Sequence, residues 1–489
     1  MSAAGADGRT DGTDGTDGTQ ETDAIDAMDE SYERHGTQGT DGSRGAARPG
    51  RVVIVVLDGL GVGAMPDAGA LRPGDLGADT LGHLLDHCHR VHGRHLRLPA
   101  LGRLGLGLLR PHPALAAATA LPVAVGRARL GYDGADTYAG HQTMMGADFS
   151  RVAVARLASY TADVTRALKA AGHTVEPLDG GPVLVADGHV LVHDNLEADP
   201  GINWNASARL DDLPFERILA VARTVRSVAP VARVIAVGGH ADRPLPAYVR
   251  RGECGTVGLD TPASGFYRNG GLRVQHLGAP LDHTRQLPEL AARAGASVTL
   301  VGKAADILAC GDAARLPAVR TGEVLDNTLA AARAARGDGR RQPDRQPEGK
   351  ALVVANVQET DLAGHQQDAL RFGAVLEEAD AGLDALLREL DGPHDLLLVT
   401  ADHGNDPTIG HAFHTREYAP VLAYRPGAPE SDAGPDARPG FLPDAASLAD
   451  VGATAARFLG LGALRLPDAD SGSGSGSSAG LAAGTPLPL

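Results

Sequence analysis

A buried strand that ends in an aspartate and a histidine constrains this sequence more than any other feature. Residues 396–399 are an unbroken apolar run, which is typical of a strand covered on both faces of a parallel sheet. Asp402 and His403 follow directly after the strand. Ligands of open α/β sheets bind beyond the carboxyl ends of the strands, and a neighbouring carboxylate and imidazole can bind one divalent ion. The stretch therefore predicts an α/β fold with a metal site at its sheet edge, and His414 is a further candidate ligand.

Two other apolar strands run into side chains of the same kinds. Residues 51–57 precede Asp58, and residues 351–357 lead to Asp361 and His365. Asp361 and His365 are four residues apart, so on one helical turn both side chains point the same way, as two ligands of one ion require. Taken alone, an aspartate at a strand end is more often a turn or helix cap.

The candidate ligands are stronger evidence for a metal site together than singly, because the alternative of a turn or helix cap would have to apply to each of them. They are Asp58, Asp361, His365, Asp402, His403 and His414, with His411 as a spare histidine. Mixed Asp and His sets suit Mn²⁺ or Zn²⁺, and six protein ligands suffice for two ions about 4 Å apart, which is usual in phosphoryl transfer. The sequence thus predicts one shared site for two metal ions.

Two more polar residues, Thr137 and Lys303, are candidate functional residues. Residues 131–148 are rich in turn formers and predict a loop, in which Thr137 is either a helix N-cap or a nucleophile. Residues 297–302 form another apolar strand, and it ends at Lys303. Because lysines are rare in this arginine-rich chain, Lys303 indicates anion binding, with a surface lysine whose stem lies along apolar residues as the alternative.

The pattern of elements predicts an α/β fold: a central, mostly parallel sheet flanked by helices, with an inserted α+β cap domain. The catalytic core is expected in residues 51–151 and 281–469, and the cap in 152–280. Residues 1–50 repeat Gly-Thr-Asp and predict a disordered acidic tail, and the Ser-Gly-rich residues 470–489 predict a second tail.

Composition excludes several classes of protein. The net charge of −16 argues against nucleic-acid binding, which usually needs a basic face. The three cysteines have no close spacing, so a disulfide framework or a cysteine zinc site is not expected. The N-terminus lacks the pattern of a secretory signal, and no apolar run approaches the length of a membrane span. We therefore expect a cytoplasmic protein without a membrane or nucleic-acid partner.

Six motifs occur in a characteristic order: VVLDGLGVGAMPDAG, GADTLGHL, GADTYAGH, VGKAADI, TADHGNDP and HTREYAPVLAY. With them the chain resembles the phosphopentomutases of the alkaline phosphatase superfamily, relatives of the cofactor-independent phosphoglycerate mutases, over roughly residues 51–465. The resemblance implies an alkaline-phosphatase-like core and a mutase of nucleoside metabolism. It would interconvert ribose or deoxyribose 1-phosphate and 5-phosphate with two divalent ions, Mn²⁺ first and Zn²⁺ or Mg²⁺ as alternatives, and a sugar bisphosphate as activator.

The resemblance also implies roles for individual residues. Thr137 would be the phosphorylated nucleophile and would share one ion with Asp58, Asp402 and His403, while His365, His414 and an aspartate near 361 hold the other. Asp194 would contact a sugar hydroxyl, and Arg233 and Lys303 would contact phosphate.

Three departures from the family concern ligands and substrate. Thr360 stands where the family usually has its aspartate, Gln142 and Thr143 stand where Trp and Glu are typical, and residues 238–270 follow the family poorly. A phosphomutase or phosphohydrolase of the same superfamily with another substrate, and a non-catalytic metal-binding homologue, are therefore the alternatives.

Overall fold

The computed structural model describes residues 50–115, 122–147, 149, 155–279, 281–335, 349–426, 440–461 and 483–489. The predicted N-terminal tail lies outside the described residues up to position 49, and so do residues 462–482 of the C-terminal region.

Strands and helices alternate along most of the described chain. The strands are β1 (Arg51–Leu57), β2 (Val123–Ala128), β3 (Val175–Pro177), β4 (Leu184–Ala186), β5 (Val190–Asp194), β6 (Asn203–Arg209), β7 (Arg233–Gly239), β8 (Val249–Arg251), β9 (Val257–Leu259), β10 (Arg273–Gly278), β11 (Ser297–Gly302), β12 (Ala314–Leu316), β13 (Ala351–Val357), β14 (Asp395–Thr400) and β15 (Ala419–Tyr424). The helices are α1 (Ala68–Leu71), α2 (Thr80–His92), α3 (Pro99–Arg103), α4 (Leu106–Leu109), α5 (Thr137–Met144), α6 (Thr161–Ala170), α7 (Phe215–Arg226), α8 (Thr261–Ser264), α9 (Leu287–Arg293), α10 (Lys303–Ile307), α11 (Thr321–Ala334), α12 (Glu359–His365), α13 (Ala369–Glu389) and α14 (Ala449–Phe458).

The larger sheet has seven strands in the order β12-β11-β13-β1-β14-β15-β2. The strands from β12 to β14 run parallel, and β15 pairs antiparallel with β14 and β2. Every residue of β1, β13 and β14 is buried, because helices cover both faces of a sheet of this kind. Leu57 pairs with Val357, and Val56 pairs with Thr400, so the carboxyl ends of these three strands lie at one edge. The predicted α/β class with a mostly parallel sheet is confirmed.

Helix α13 makes the crossover between β13 and β14. Its fully buried side chains include Leu376, Leu383 and Leu386, at spacings that keep them on one helical face. At its N-terminus, Asp368 Oδ1 accepts a hydrogen bond from Arg371 N at 3.0 Å. The amphipathic pattern of residues 367–390 in the sequence predicts a helix of this extent, to within two residues at either end. Among the helices that the structure describes, none has the length and apolar character needed to span a bilayer.

A second sheet forms within residues 175–278, in the order β10-β7-β6-β5-β4-β3. Trp204 of β6 is fully buried in its own hydrophobic cluster, together with Ile218 and Val225 of α7. The sheet and its helices have the α+β character predicted for the insertion. The described residues from position 50 onward nevertheless make one compact unit, so the boundaries of core and cap stay a prediction.

The end of the chain differs from the sequence prediction. Residues 483–489 were expected to belong to a disordered tail, but Ala483 N donates to Gly146 O at 3.0 Å and Leu487 N donates to Thr454 Oγ1 at 2.8 Å. Leu487 is buried in the main hydrophobic core. The prediction relied on the Ser-Gly composition of this region. Residues 483–489 instead pack on the core, because the Leu487 side chain is buried there and two backbone N–H groups donate hydrogen bonds to it.

Candidate metal centre

Asp58, Asp402 and α12 meet at the carboxyl edge of the larger sheet. Asp58 follows the last residue of β1, and Asp402 lies two residues beyond β14. The neighbouring strand β13 leads into α12, which carries Asp361 and His365. Since β1 lies between β13 and β14, residues more than 300 positions apart in the sequence come together here.

Three histidines present the same nitrogen atom to this edge. Each donates its Nδ1 hydrogen to a backbone carbonyl: His365 to Ala412 at 2.8 Å, His403 to Gly404 at 3.0 Å and His414 to Ala135 at 3.0 Å. This bonding fixes the ring orientation and directs each Nε2 toward the cluster. Metal-binding histidines are commonly oriented in this way.

The first group of candidate ligands is Asp58, Asp402 and His403, whose ligand atoms all lie within 4.8 Å of one another. His403 Nε2 is 3.4 Å from Asp58 Oδ1 and 3.3 Å from Asp402 Oδ2. All three residues are fully buried. His403 Nε2 and Asp58 Oδ1 have no hydrogen-bond partner among the described residues, as expected for atoms that bind a cation.

The second group is Asp361, His403 and His414, also within 4.8 Å. His414 Nε2 is 3.4 Å from Asp361 Oδ1, and His365 Nε2 is 3.5 Å from Asp361 Oδ2. The structure thus brings all six predicted ligands together, and the i, i+4 pair on α12 points toward the cluster.

Thr137 lies beside the first group. It is the first residue of α5, and its Oγ1 donates to Asp402 Oδ2 at 2.6 Å. The N-cap is Asp136, whose Oδ1 accepts from Ala139 N at 3.0 Å. Residue 137 is therefore neither part of a loop nor the N-cap, and both of those interpretations are wrong. Because Asp136 occupies the N-cap position, the Thr137 hydroxyl does not cap the helix and donates to Asp402 instead.

Lys303, the first residue of α10, is buried in the same cluster and not on the surface. Its Nζ is 2.5 Å from Asp58 Oδ2, 3.4 Å from Asp361 Oδ2 and 3.3 Å from Thr137 Oγ1. Burial lowers the pKa of Lys303, but the charges of Asp58 and Asp361 more than offset this effect and raise it above the usual value. The ammonium group is therefore a fixed positive charge next to the Thr137 hydroxyl.

The charges of the cluster suit a divalent cation. Burial raises the pKa of Asp58 to about 7, and the neighbouring charge of Asp402 adds to the effect. Burial also lowers the pKa of His414 to about 4, with His403 contributing, so its imidazole is neutral near pH 7. Burial lowers the pKa of His365, but the charge of Asp361 more than offsets this effect and raises the pKa to about 9, so a bound cation would take the place of the His365 proton. Repelling carboxylates and imidazole nitrogens of this kind are what a divalent cation stabilises. The residues present therefore fit the metal ions that the sequence predicts.

Two residues that support the site, Asn356 and His141, have no role predicted from the sequence. Asn356 Nδ2 donates to Asp58 Oδ2 and to His141 Nε2, both at 3.0 Å, while His141 Nδ1 donates to Thr137 O at 2.8 Å. The pair orients one candidate ligand and the first turn of α5 together. A sequence signal existed for Asn356, because it is a polar residue inside the apolar run ALVVANV.

The substitution of the family's aspartate by Thr360 has a structural explanation. Thr360 Oγ1 donates to the backbone carbonyls of Asp58 at 2.6 Å and Val357 at 3.0 Å, so it ties α12 to β1. The next residue, Asp361, supplies the carboxylate, and Asn405 Nδ2 holds Asp361 Oδ1 at 2.8 Å.

Three other candidates lie away from the metal ligands. Both oxygens of Asp194 accept backbone hydrogen bonds, from Leu157 N at 2.8 Å and Val257 N at 3.0 Å, so its contact with a sugar stays a prediction. Arg233 is buried and contacts the residue before Thr137. His411 Nε2 is 3.1 Å from Asp75 Oδ1, which separates this spare histidine from the cluster.

A buried carboxylate, Glu417, supports the loops around the site. Its oxygens accept hydrogen bonds from Gly63 N at 3.0 Å, Thr80 N at 2.9 Å, Thr80 Oγ1 at 2.5 Å and Thr415 Oγ1 at 2.6 Å. Burial raises the pKa of Glu417 to about 7, although these hydrogen bonds oppose the shift. The hydroxyl groups can rotate to accept a hydrogen bond, so the neutral acid also fits.

Glu417→Gln is expected to flatten the dependence of stability on pH. Because the folded-state pKa of Glu417 is raised to about 7, its stabilising contribution is complete below the unfolded value and is lost as pH rises through 7. Between about pH 5 and pH 8, wild type should lose roughly 2 to 3 kcal/mol more unfolding free energy than the glutamine variant. Urea unfolding of both proteins at the two pH values measures the difference, and parallel profiles would contradict the shifted pKa.

The fold and the cluster are typical of one class of protein, the α/β metalloenzymes, and the candidate metal site lies at the carboxyl edge of the seven-stranded sheet. The sequence profile of the Metalloenzyme superfamily matches residues 50–463, and this family implies divalent metal ions.

Curated relatives narrow the class further. A phosphopentomutase of Methylobacterium sp. (strain 4-46) is 34% identical over 435 residues, covering 84% of this chain and 97% of the relative. A phosphopentomutase of Symbiobacterium thermophilum is 33% identical over 431 residues, covering 84% and 95%. One of Anaeromyxobacter sp. (strain K) is 30% identical over 431 residues, covering 84% and 96%. The chain belongs to the phosphopentomutase family and is an isomerase of the phosphomutase kind.

Proposed function

We propose that this enzyme interconverts ribose or deoxyribose 1-phosphate and the corresponding 5-phosphate through a phosphothreonine at position 137. The observation that carries the proposal is the placement of Thr137 Oγ1, 2.6 Å from Asp402 Oδ2 and 3.3 Å from Lys303 Nζ. A hydroxyl in this position has a carboxylate that orients it and an ammonium group that can attract a phosphoryl group.

The metal ions are proposed to be Mn²⁺, with Zn²⁺ or Mg²⁺ as alternatives. Asp58, Asp402, His403 and Thr137 would hold one ion, and Asp361, His365 and His414 the other. When bound, such ions neutralise phosphoryl charge and lower the pKa of a coordinated hydroxyl. A sugar bisphosphate is proposed as the activator that first phosphorylates Thr137.

The chain's own groups position the reaction. Asp402 accepts the Thr137 hydrogen bond and so points the oxygen into the cluster. His141 bonds the Thr137 carbonyl and, through Asn356, connects the first turn of α5 to Asp58. Lys303 acts as a point charge for phosphate oxygens, in keeping with its predicted phosphate contact.

A cleft beside the cluster is the proposed entry for the substrate. Its volume is about 300 Å³, which is in the range of small-ligand sites. Arg250 and Arg251 of the β8–β9 hairpin and Glu197 line one side, and His411 and Ala412 line the other. The carbonyl of Ala412 is the hydrogen-bond partner of His365, so this wall of the cleft touches the metal centre. A binding site between the β8–β9 hairpin and this loop would shield the phosphorylated enzyme from water while the sugar reorients.

Phosphorus NMR tests the proposed reaction directly. With Mn²⁺ and a catalytic amount of sugar bisphosphate, ribose 1-phosphate and deoxyribose 1-phosphate should each be converted to the 5-phosphate. Inorganic phosphate as the main product would instead support the phosphohydrolase alternative. Turnover of other sugar phosphates with none of these pentoses would reassign the substrate, and no change in any sample would favour a non-catalytic homologue.

A further inference from the structure

A buried ion pair connects the second sheet to the helix that carries Thr137. Arg233 of β7 donates from its Nη2 to Asp136 Oδ2, and Asn203 Nδ2 of β6 donates to the same oxygen at 2.8 Å. Arg233 is 2% exposed and Asp136 is fully buried. The charge of Arg233 lowers the pKa of Asp136 to about 2 despite the opposing effect of burial.

The other nitrogens of the Arg233 guanidinium group also have partners. Its Nε donates to Asn203 Oδ1 at 3.3 Å, and its Nη1 donates to His276 Nδ1 at 2.9 Å. Burial lowers the pKa of His276 well below its usual value, with the charge of Arg233 contributing, so this histidine is a neutral acceptor. A guanidinium group held on three sides inside the protein is not presented to a ligand in the way that phosphate recognition requires.

Asp136 connects Arg233 to Thr137, the proposed nucleophile. Its Oδ1 caps α5 by accepting from Ala139 N at 3.0 Å, and Tyr132 Oη donates to its backbone carbonyl at 2.9 Å. Thr137 is the next residue, so the orientation of the cap sets the first turn of α5 and the position of the Thr137 hydroxyl.

We propose that Arg233 is a positioning residue: it acts through Asp136 to fix the Thr137 hydroxyl, and it does not bind the substrate phosphate. The proposal rests on the proposed role of Thr137. It also accounts for the charge of Arg233, because a phosphoryl group on Thr137 adds negative charge next to the Asp136 carboxylate. Arg233 offsets that repulsion in the phosphorylated enzyme.

A double-mutant cycle separates positioning from phosphate binding. Arg233→Gln leaves the Asp136 charge buried and unpaired, and the resulting displacement of Thr137 should lower kcat about 100-fold with little change in KM. Asp136→Asn together with Arg233→Gln removes both charges, and the asparagine can still cap α5. The double variant should therefore recover kcat to within about tenfold of wild type. If the single variant does not fold, the double variant alone decides.

Arg273→Gln is the matched control, since Arg273 lies on the neighbouring strand β10, is exposed, and pairs with the exposed Glu216. It should keep wild-type kinetics. If Arg233 instead binds phosphate, the single and double variants will both show a KM raised by tenfold or more, without recovery.

Hydrogen exchange provides a readout that does not depend on catalysis. Amides of 137–144 should exchange faster in Arg233→Gln than in wild type and regain protection in the double variant. Unchanged protection in the single variant would overturn the positioning role even in an active enzyme. Inactivity of wild type on every pentose phosphate would instead contradict the proposed function and leave this exchange result to stand by itself.

Discussion

Thr137→Ala is expected to lose nearly all mutase turnover, on the order of 10⁴-fold or more, as removal of a nucleophile does in other covalent enzymes. The substitution removes the hydroxyl and the γ-methyl group of Thr137, whose Oγ1 lies 2.6 Å from Asp402 Oδ2 and 3.3 Å from Lys303 Nζ. Two hydrogen bonds are lost with them, one donated to Asp402 and one accepted from Lys303. Both charged partners keep other contacts, Asp402 with Gly59 N and Lys303 with Asp58, so the unfolding temperature should stay close to that of wild type. Initial rates with ribose 1-phosphate and differential scanning fluorimetry measure both quantities.

Thr143→Ala is the matched control for this experiment. Thr143 is on the same helix, is equally buried, and its Oγ1 has no hydrogen-bond partner among the described residues. This variant should retain turnover within a few-fold of wild type. Thr137→Ser, which keeps a hydroxyl group, should retain measurable activity. Comparable activity of Thr137→Ala and Thr143→Ala would show that Thr137 does not carry the phosphoryl group.

His403→Ala is expected to have the second largest effect, a loss of metal binding. His403 would be a ligand of the ion held by Asp58 and Asp402, and it also belongs to the candidate group of Asp361 and His414, so its removal affects both groups. Loss of a supporting residue alone typically weakens metal affinity by about 10- to 100-fold, so loss of a ligand itself should weaken it by at least about 100-fold. Mn²⁺ titration followed by electron paramagnetic resonance, with metal analysis after gel filtration, measures the affinity and the number of ions bound.

His411→Ala serves as the control for the loss of a histidine near the cluster. Its ring pairs with Asp75, and the structure places it outside both candidate groups. This variant should bind as much Mn²⁺ as wild type. Equal Mn²⁺ binding by His403→Ala and His411→Ala would mean that the ions bind elsewhere. Addition of Mn²⁺ should also restore the activity of chelated wild type better than Zn²⁺ or Mg²⁺ does.

Much of the site could be predicted because the ends of parallel strands meet at one sheet edge. Asp58 and Asp402 each follow an apolar run, and a strand of that kind must be buried in a sheet with a defined carboxyl edge. The spacing of Asp361 and His365 was likewise sufficient to predict that their side chains point the same way, since helical geometry alone places them on one face. These inferences need only local patterns and one general property of α/β sheets.

The other interactions depend on pairs that no local pattern defines. Arg233 is 97 residues from Asp136, and the resemblance alone assigned it to phosphate. Glu417 accepts hydrogen bonds from residues 63 and 80, which are 354 and 337 positions away in the sequence. In such cases the identity of the residue is visible in the sequence, but its partner follows only from the packing of distant elements. The role of Lys303 could be predicted only in part. Its position at the end of a strand indicated a functional residue, but the sequence did not show that its side chain is buried.

Mass spectrometry of the phosphorylated enzyme tests the central claim most directly. Wild type and Thr137→Ala are loaded with Mn²⁺, incubated with a sugar bisphosphate, quenched, and analysed as intact proteins and as proteolytic peptides. Wild type should gain one phosphoryl group, located on Thr137 in the peptide that contains α5 and lost again when ribose 5-phosphate is added, while Thr137→Ala should gain none. A phosphoryl group on another residue, or equal labelling of the two proteins, would contradict the assignment of Thr137 as the nucleophile.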